Sequence, residues 1–304
     1  MTRRAPLGTA TWIGIVLLGA FVLLATVGRL VADSPTALVD QGLLPPSVHH
    51  PFGTDNLGRD LFARTATGAW TSLVIAVTSV VLGLVVAAPV GLAAAWRQGR
   101  SLDHALMRVV ELAQVVPAFV LVVVLLGLTG SGDAEIAGIT VSMTSRLVVC
   151  LAICFVPFFA RITRSAALSE LEEPYVAGLR VLGVPEREIV VREVLPNVAP
   201  ALGVQVFLAL AVAVFAEGGL SFIGLGVPPP APTLGNLIAE AGGQLLDGAW
   251  WYALIPGLVL VIGITGCNLV GDAASDGVLG ARRAAAPEPS TPSAPSARPT
   301  EALR

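Results

Sequence analysis

Three histidines, three cysteines and twenty-one carboxylates are the side chains through which this 304-residue chain could do chemistry. All eighteen of its basic residues are arginine, so a phosphate loop ending in Gly-Lys-Ser/Thr, a pyridoxal Schiff base and a kinase-type lysine are excluded. His49 and His50 are adjacent and, in an extended segment, point to opposite sides, which makes no metal pair; His104 stands apart. Neither His-Glu-x-x-His nor Gly-x-Ser-x-Gly occurs. Cys150 and Cys154 lie one helical turn apart in an apolar run without further ligands, and read as small buried hydrophobes. Asp55 and Asp60 alternate with Arg59 and Arg64, the pattern of a local salt-bridge network rather than of paired catalytic acids. Glu217, in a long apolar stretch, reads as a hydrogen-bonded interfacial acid, with a place on a solute pathway as the sharper alternative. No enzyme emerges from this set.

What must position these residues is a membrane bundle. The chain is 55% hydrophobic and 13% charged, with a mean hydropathy of +0.81. A soluble domain carries about a quarter charged residues, so a water-soluble globule and a disordered chain are both excluded. A crossing helix needs about 20 largely apolar residues. Six windows supply them: Ala5 to Gly28, Thr65 to Trp96, Leu112 to Gly132, about Ile136 to Ala160, Val194 to Ala216, and Gly248 to Gly271. The uncharged stretch Gly218 to Ala239 holds Pro228, Pro229, Pro230 and Pro232, and reads as a loop or re-entrant segment against protein. Pro89, Pro117, Pro157 and Pro256 are expected to kink helices, while Gly83, Gly91 and Gly127 let them pack closely.

With the N-terminus inside, fourteen arginines fall on the internal side and only Arg29, Arg59, Arg64 and Arg146 outside, so both termini are expected in the cytoplasm. The first window is longer than a signal-peptide core and lacks a small-x-small cleavage site, so it reads as an uncleaved helix. The expected layout is all-α: an N-terminal helix plus external segment (1–68), a five-helix membrane domain (69–272) and a disordered cytoplasmic tail (273–304) rich in Ala, Pro, Ser and Thr. The small net charge of −3 gives no basis for a nucleic-acid partner.

The internal connection 161–198 is the most charged part of the chain. Glu172, Glu173 and Pro174 make a helix start, and Gly183 a stop, for a helix from about Tyr175 to Leu182 that exposes Val176, Leu179, Val181 and Leu182 beside Arg180. A second short helix is expected from Pro185 to just before Pro196. Two short helices projecting from a membrane suit a knob docked in a groove on another protein.

This segment resembles the cytoplasmic "EAA" loop of bacterial ABC-type importer permeases: Tyr175, Arg180, Gly183, Leu195, Pro196 and Asn197 stand in matching places. It departs where Glu-Ala-Ala should fall and reads Ala177-Gly178-Leu179. His50-Pro51-Phe52-Gly53-Thr54-Asp55-Asn56-Leu57-Gly58-Arg59-Asp60 looks like the signature preceding span two in dipeptide/oligopeptide permease C-type subunits, and Glu217 to Gly226 and Asn268 to Asp272 look like later blocks of that subfamily. The resemblance covers roughly residues 10 to 280.

It implies a six-helix type I ABC importer fold forming half of a solute pathway in the bacterial inner membrane. It also implies a second homologous permease, two ATPase subunits carrying ATP and Mg, and an external solute-binding protein, with no cofactor on this chain. Glu173, Tyr175, Ala177, Gly178, Arg180, Gly183, Leu195 and Pro196 would carry the ATPase coupling, and Gly53, Thr54, Asp55, Gly58, Arg59 and Asp60 the external signature. Peptides are the first solute implied, with nickel or another small solute as the alternative. An ion-coupled secondary transporter is the rival from another class; it needs ionisable groups near the membrane midplane, and none is evident.

Overall fold

Apolar runs become long helices in the computed structural model, which describes residues 8–128, 130, 132–136 and 138–285. In chain order the helices are α1 (Thr9–Val31), α2 (Leu61–Trp96), α3 (Ser101–Val115), α4 (Ala118–Leu128), α5 (Met143–Leu171), α6 (Pro174–Val181), α7 (Glu186–Phe222), α8 (Leu234–Glu240) and α9 (Trp250–Ala285). Between α4 and α5 the strands β1 (Ala134–Ile136) and β2 (Ile139–Val141) form an antiparallel hairpin, pairing Ala134 with Val141. The bundle has two ends: one carries residues 32–60 (the segment end), the other the α5–α7 connection (the loop end).

Among the described residues five helices, α1, α2, α5, α7 and α9, are long and apolar enough to cross a membrane. Six spans result only if α3 and α4, bent by 83° at their break, count as one. This corrects the expected span from Leu112 to Gly132, kinked at Pro117 but unbroken. Pro117 lacks an amide hydrogen and drives Val116 to an extended backbone (φ −82°, ψ 126°), so it breaks the helix rather than kinking it. The fourth window is also corrected: its beginning is the hairpin, and α5 starts at Met143 behind Ser142, whose hydroxyl accepts from Ser145 N. At the other terminus α9 continues past Asp272 to Ala285, so the first part of the expected tail is helical; residues 286–304 lie outside the described residues.

Helices packed in lipid gain little from apolar burial against one another and associate through close contact of small residues. On α2, Gly83 lies against Phe155 and Ala152 of α5, and Gly91 against Ala160 and Thr163. Gly127, expected to do the same, has nothing within 4 Å. α1 lies along α9, with Gly14 facing Leu269 and Gly266 facing Leu18. The proline-rich stretch after α7 is turns, as its composition requires, and ends in α8, whose start is fixed by a capping box between Thr233 and Asn236. α8 presses on α7 so closely that a Cβ on Gly235 would lie 2.1 Å from the Gly218 carbonyl oxygen.

α3 is held to α5 by a two-pronged ion pair. Arg164 Nε and Nη2 each donate to Asp103 at 2.8 Å, and Asp103 also accepts from Gly99 N. The planar guanidinium and carboxylate match in geometry, which fixes orientation as well as distance.

Candidate functional site

The loop-end connection is a folded knob. Pro174 sits in the first turn of α6, behind Glu173, and Gly183 ends the helix at φ +78°, in the left-handed region open to glycine. Gly183 N donates to Arg180 O at 3.0 Å and Val184 N to Leu179 O at 3.1 Å, which satisfies the last turn. α6 therefore matches its expected place within a residue.

Its faces are partly corrected. Val176, expected outside, is 0% exposed, packed with Ile189, Val194, Val198 and Ala167; Leu179 leans on the same cluster. The leucine standing in place of the second alanine of the Glu-Ala-Ala pattern thus turns into the knob's own core. Val181 and Leu182 project at 88% and 80% exposure, with Ala177, Gly178 and Arg180 also on the outside.

The expected second helix does not end before Pro196. α7 runs from Glu186 through it, winding as a π-turn over Ile189–Val194. The widened turn leaves Pro196 at the start of the regular helix that follows, where a missing amide hydrogen costs least. The knob is therefore continuous with a membrane helix. Tyr175 strengthens the join: its hydroxyl donates to Glu170 Oε1 at 2.8 Å and accepts from Asn197 Nδ2 at 3.2 Å. Burial, with the neighbouring Glu170, raises the Tyr175 phenol above its ordinary pKa, so it stays a neutral donor. Arg180 Nε pairs with Glu186 Oε1 at 2.7 Å across the Gly183 turn.

At the segment end the signature residues build a second constellation. Thr54 Oγ1 donates to Gln41 O at 2.7 Å and accepts from Leu44 N at 2.8 Å. Asp55 Oδ1 accepts from Leu57 N and Arg59 N; its Oδ2 takes Arg59 Nε at 2.6 Å and Arg64 Nη1 at 2.5 Å. Asp60 has a different job from the expected arginine pairing: it caps α2, accepting from Ala63 N, and meets His50 Nδ1 at 3.1 Å. Gly53 and Gly58 take left-handed turns on either side of Asp55.

Two partners in this network escaped the sequence. Glu240, at the end of α8, binds Arg64 at 2.8 Å and Arg59 at 3.4 Å, and Tyr252 of α9 donates to it at 2.8 Å. Burial pushes the Glu240 carboxyl up, but the Arg64 hydrogen bond and charge, with Tyr252 and Arg59, outweigh it and hold the pKa below the ordinary value. Glu240 is the only acid between Gly218 and Leu246, so asking what neutralises Arg64 was the available clue.

Glu217 is fully buried within the bundle and is hydrogen-bonded as expected, accepting from Ser221 Oγ at 2.6 Å. Among the described residues no group of three metal-ligating side chains occurs.

Comparison with known proteins accords with this arrangement. Residues 87–278 match the family model described as a binding-protein-dependent transport system inner membrane component. A putative peptide transport system permease of Brucella suis is 36% identical over 266 residues, 87% of this chain and 85% of that one. The di/tripeptide transport system permease DppC of Pseudomonas aeruginosa is 34% identical, covering 74% and 70%, and the dipeptide permease DppC of Bacillus subtilis 31%, covering 90% and 82%. An inward-facing MetNI methionine ABC transporter structure shares the fold, with a TM-score of 0.50, 21% identity and coverage of 69% of this chain and 96% of that one. The chain belongs to the family of binding-protein-dependent transport system inner membrane components, as a multi-pass permease subunit of an ABC importer rather than an enzyme.

Proposed function

We propose that this chain forms half of the translocation pathway of an ATP-driven peptide importer. Both termini lie in the cytoplasm, the loop end faces two ATPase subunits that carry ATP and Mg, and the segment end faces an external binding protein. A second homologous permease completes the pathway. The names of the relatives support peptide as the solute. An apolar cavity of about 560 Å³ between α4, α5 and α7, walled by Phe119, Phe155, Phe158 and Phe215, suits a face that the second permease closes.

The carrying observation is α6: one side is locked into the α5–α7 core by Val176, the other presents bare Val181 and Leu182. An ATPase gripping that tip moves α5 and α7 as one body. Alternating access follows as a population shift driven from outside the chain. Glu173, Tyr175, Ala177, Gly178, Arg180 and Gly183 are the contact set, with Leu195 and Pro196 as the link to the span. The test is uptake of labelled di- and oligopeptides into proteoliposomes holding both permeases, both ATPases and the binding protein. ATP-dependent, protonophore-resistant uptake is expected. Uptake driven by an ion gradient without the ATPases overturns the reading.

A further inference from the structure

Where α2 ends, three arginines converge on one cavity. Trp96, Arg97, Arg100, Arg180 and Glu186 line a space of about 440 Å³ between the end of α2 and the knob. The chain turns there on Gly99, at φ +71°, and Arg100 N donates to Arg97 O at 2.9 Å, so both arginines spring from a single turn. Arg97 lies over the Trp96 ring, 4.9 Å from its centroid. Glu186 pairs, among the described residues, with Arg180 alone. Among the described residues Arg97 and Arg100 make no ion pair, so two guanidinium charges stand uncompensated beside a cavity with one indole wall.

We propose that this cavity holds the phosphate of an anionic phospholipid headgroup from the leaflet at the loop end. Guanidinium is a planar fork that matches phosphate oxygens in pairs. Tryptophan at the end of an apolar helix marks headgroup depth, and basic pockets between membrane helices on the cytoplasmic side take acidic headgroups. A lipid with net negative charge fits two uncompensated arginines; a zwitterionic one leaves them unmet. Because Arg97 follows α2 and Arg180 belongs to α6, the bound phosphate ties a membrane helix to the knob. The site shares only Arg180 with the ATPase-coupling reading, and its side of the membrane rests on that reading, so the test uses Arg97 and Arg100 instead.

The complete transporter, with both permeases and ATPases, is placed in nanodiscs of phosphatidylcholine, with or without phosphatidylglycerol, and treated with phenylglyoxal. Modification of Arg97 and Arg100 is read by peptide mass spectrometry. Phosphatidylglycerol is expected to slow their modification several-fold relative to phosphatidylcholine, and Arg97→Gln with Arg100→Gln to abolish preferential retention of phosphatidylglycerol after extraction while the ATPases still co-purify. Equal modification in both lipids overturns the proposal. So does protection by inorganic phosphate added to the phosphatidylcholine discs with none from phosphatidylglycerol, which makes the ligand a free anion. Peptide uptake that fails while lipid protection persists removes the transport reading and leaves this site standing.

Discussion

Arg64 and Glu240, 176 positions apart, are joined by hydrogen bonds of 2.8 and 3.2 Å, and through them the start of α2 is fastened to α8. Arg64 is 1% exposed and also holds Asp55 at 2.5 Å. Removing the arginine leaves two acids, one wholly and one partly buried, with Arg59 as their one remaining ion-pair partner among the described residues. Breaking a buried pair by removing one partner is destabilising, and the arginine that stays keeps the cost below the roughly 3–5 kcal/mol of a wholly uncompensated charge. Arg64→Met is therefore expected to lower the apparent Tm of the detergent-solubilised transporter markedly, and an unchanged Tm refutes the clamp.

The same clamp has a pH signature. The folded Glu240 carboxyl titrates below its ordinary value of 4.5, so it binds protons less readily than in the unfolded chain. Its contribution is fully present above that ordinary value and is lost as pH falls through the depressed one. Thermal melts taken from neutral into strongly acid solution should show the parent losing this increment below about pH 4.5, whereas Glu240→Gln, already weakened at neutral pH, loses less. Parallel curves for the two proteins contradict the assignment.

Sequence made the existence of this bundle legible and left its long-range contacts hidden. Uncharged runs announce spans because lipid tolerates few charges, so α1, α2, α5, α7 and α9 lie near their expected places. Apolarity alone cannot tell a kinked helix from a broken one, and Pro117 was such a case. Pro174 and Gly183 marked the ends of α6 by local backbone rules. Which side of α6 is buried depends on Val194 and Val198, which reach it only once α7 has packed. Glu240 and Tyr252 carry no local signal for Arg64, since their partner lies at the far end of the chain.

The exposed tip of α6 separates docking from folding. Val181 and Leu182 touch little of their own chain, so Val181→Asp with Leu182→Asp should leave expression and Tm near parental values. An acidic pair in an apolar groove meets a large desolvation cost, so co-purification of the ATPases and peptide-stimulated ATP hydrolysis should collapse. Val176→Ala is the reverse case: it opens a cavity in the knob's core and should lower Tm first. Full coupling in the double aspartate variant sinks the docking surface.

Gly183 tests the geometry of the knob. A side chain at φ +78° carries about 1–2 kcal/mol of strain, more with branching at Cβ. Gly183→Val is expected to insert normally yet transport little solute for each ATP hydrolysed. Gly178→Ala, with open space around it and an ordinary helical backbone, should leave the fold untouched. Uptake at the parental rate by the Gly183 variant removes the helix stop from the coupling mechanism.

Close packing of α2 on α5 can be probed with a single methyl group. A Cβ at Gly91 would lie 2.5 Å from Ala160 O and 2.6 Å from Thr163 Cβ, neither of which can withdraw without moving α5. Over-packing of this kind typically costs about 1–3 kcal/mol. The same substitution at Gly127, in the last turn of α4, meets nothing within 4 Å. Gly91→Ala should lower the Tm of the transporter, and Gly127→Ala should hold it. Since α5 leads directly into α6, the Gly91 variant should also lose coupling, which the Gly127 variant retains. Equal Tm shifts at the two positions contradict a contact between α2 and α5 made through Gly91.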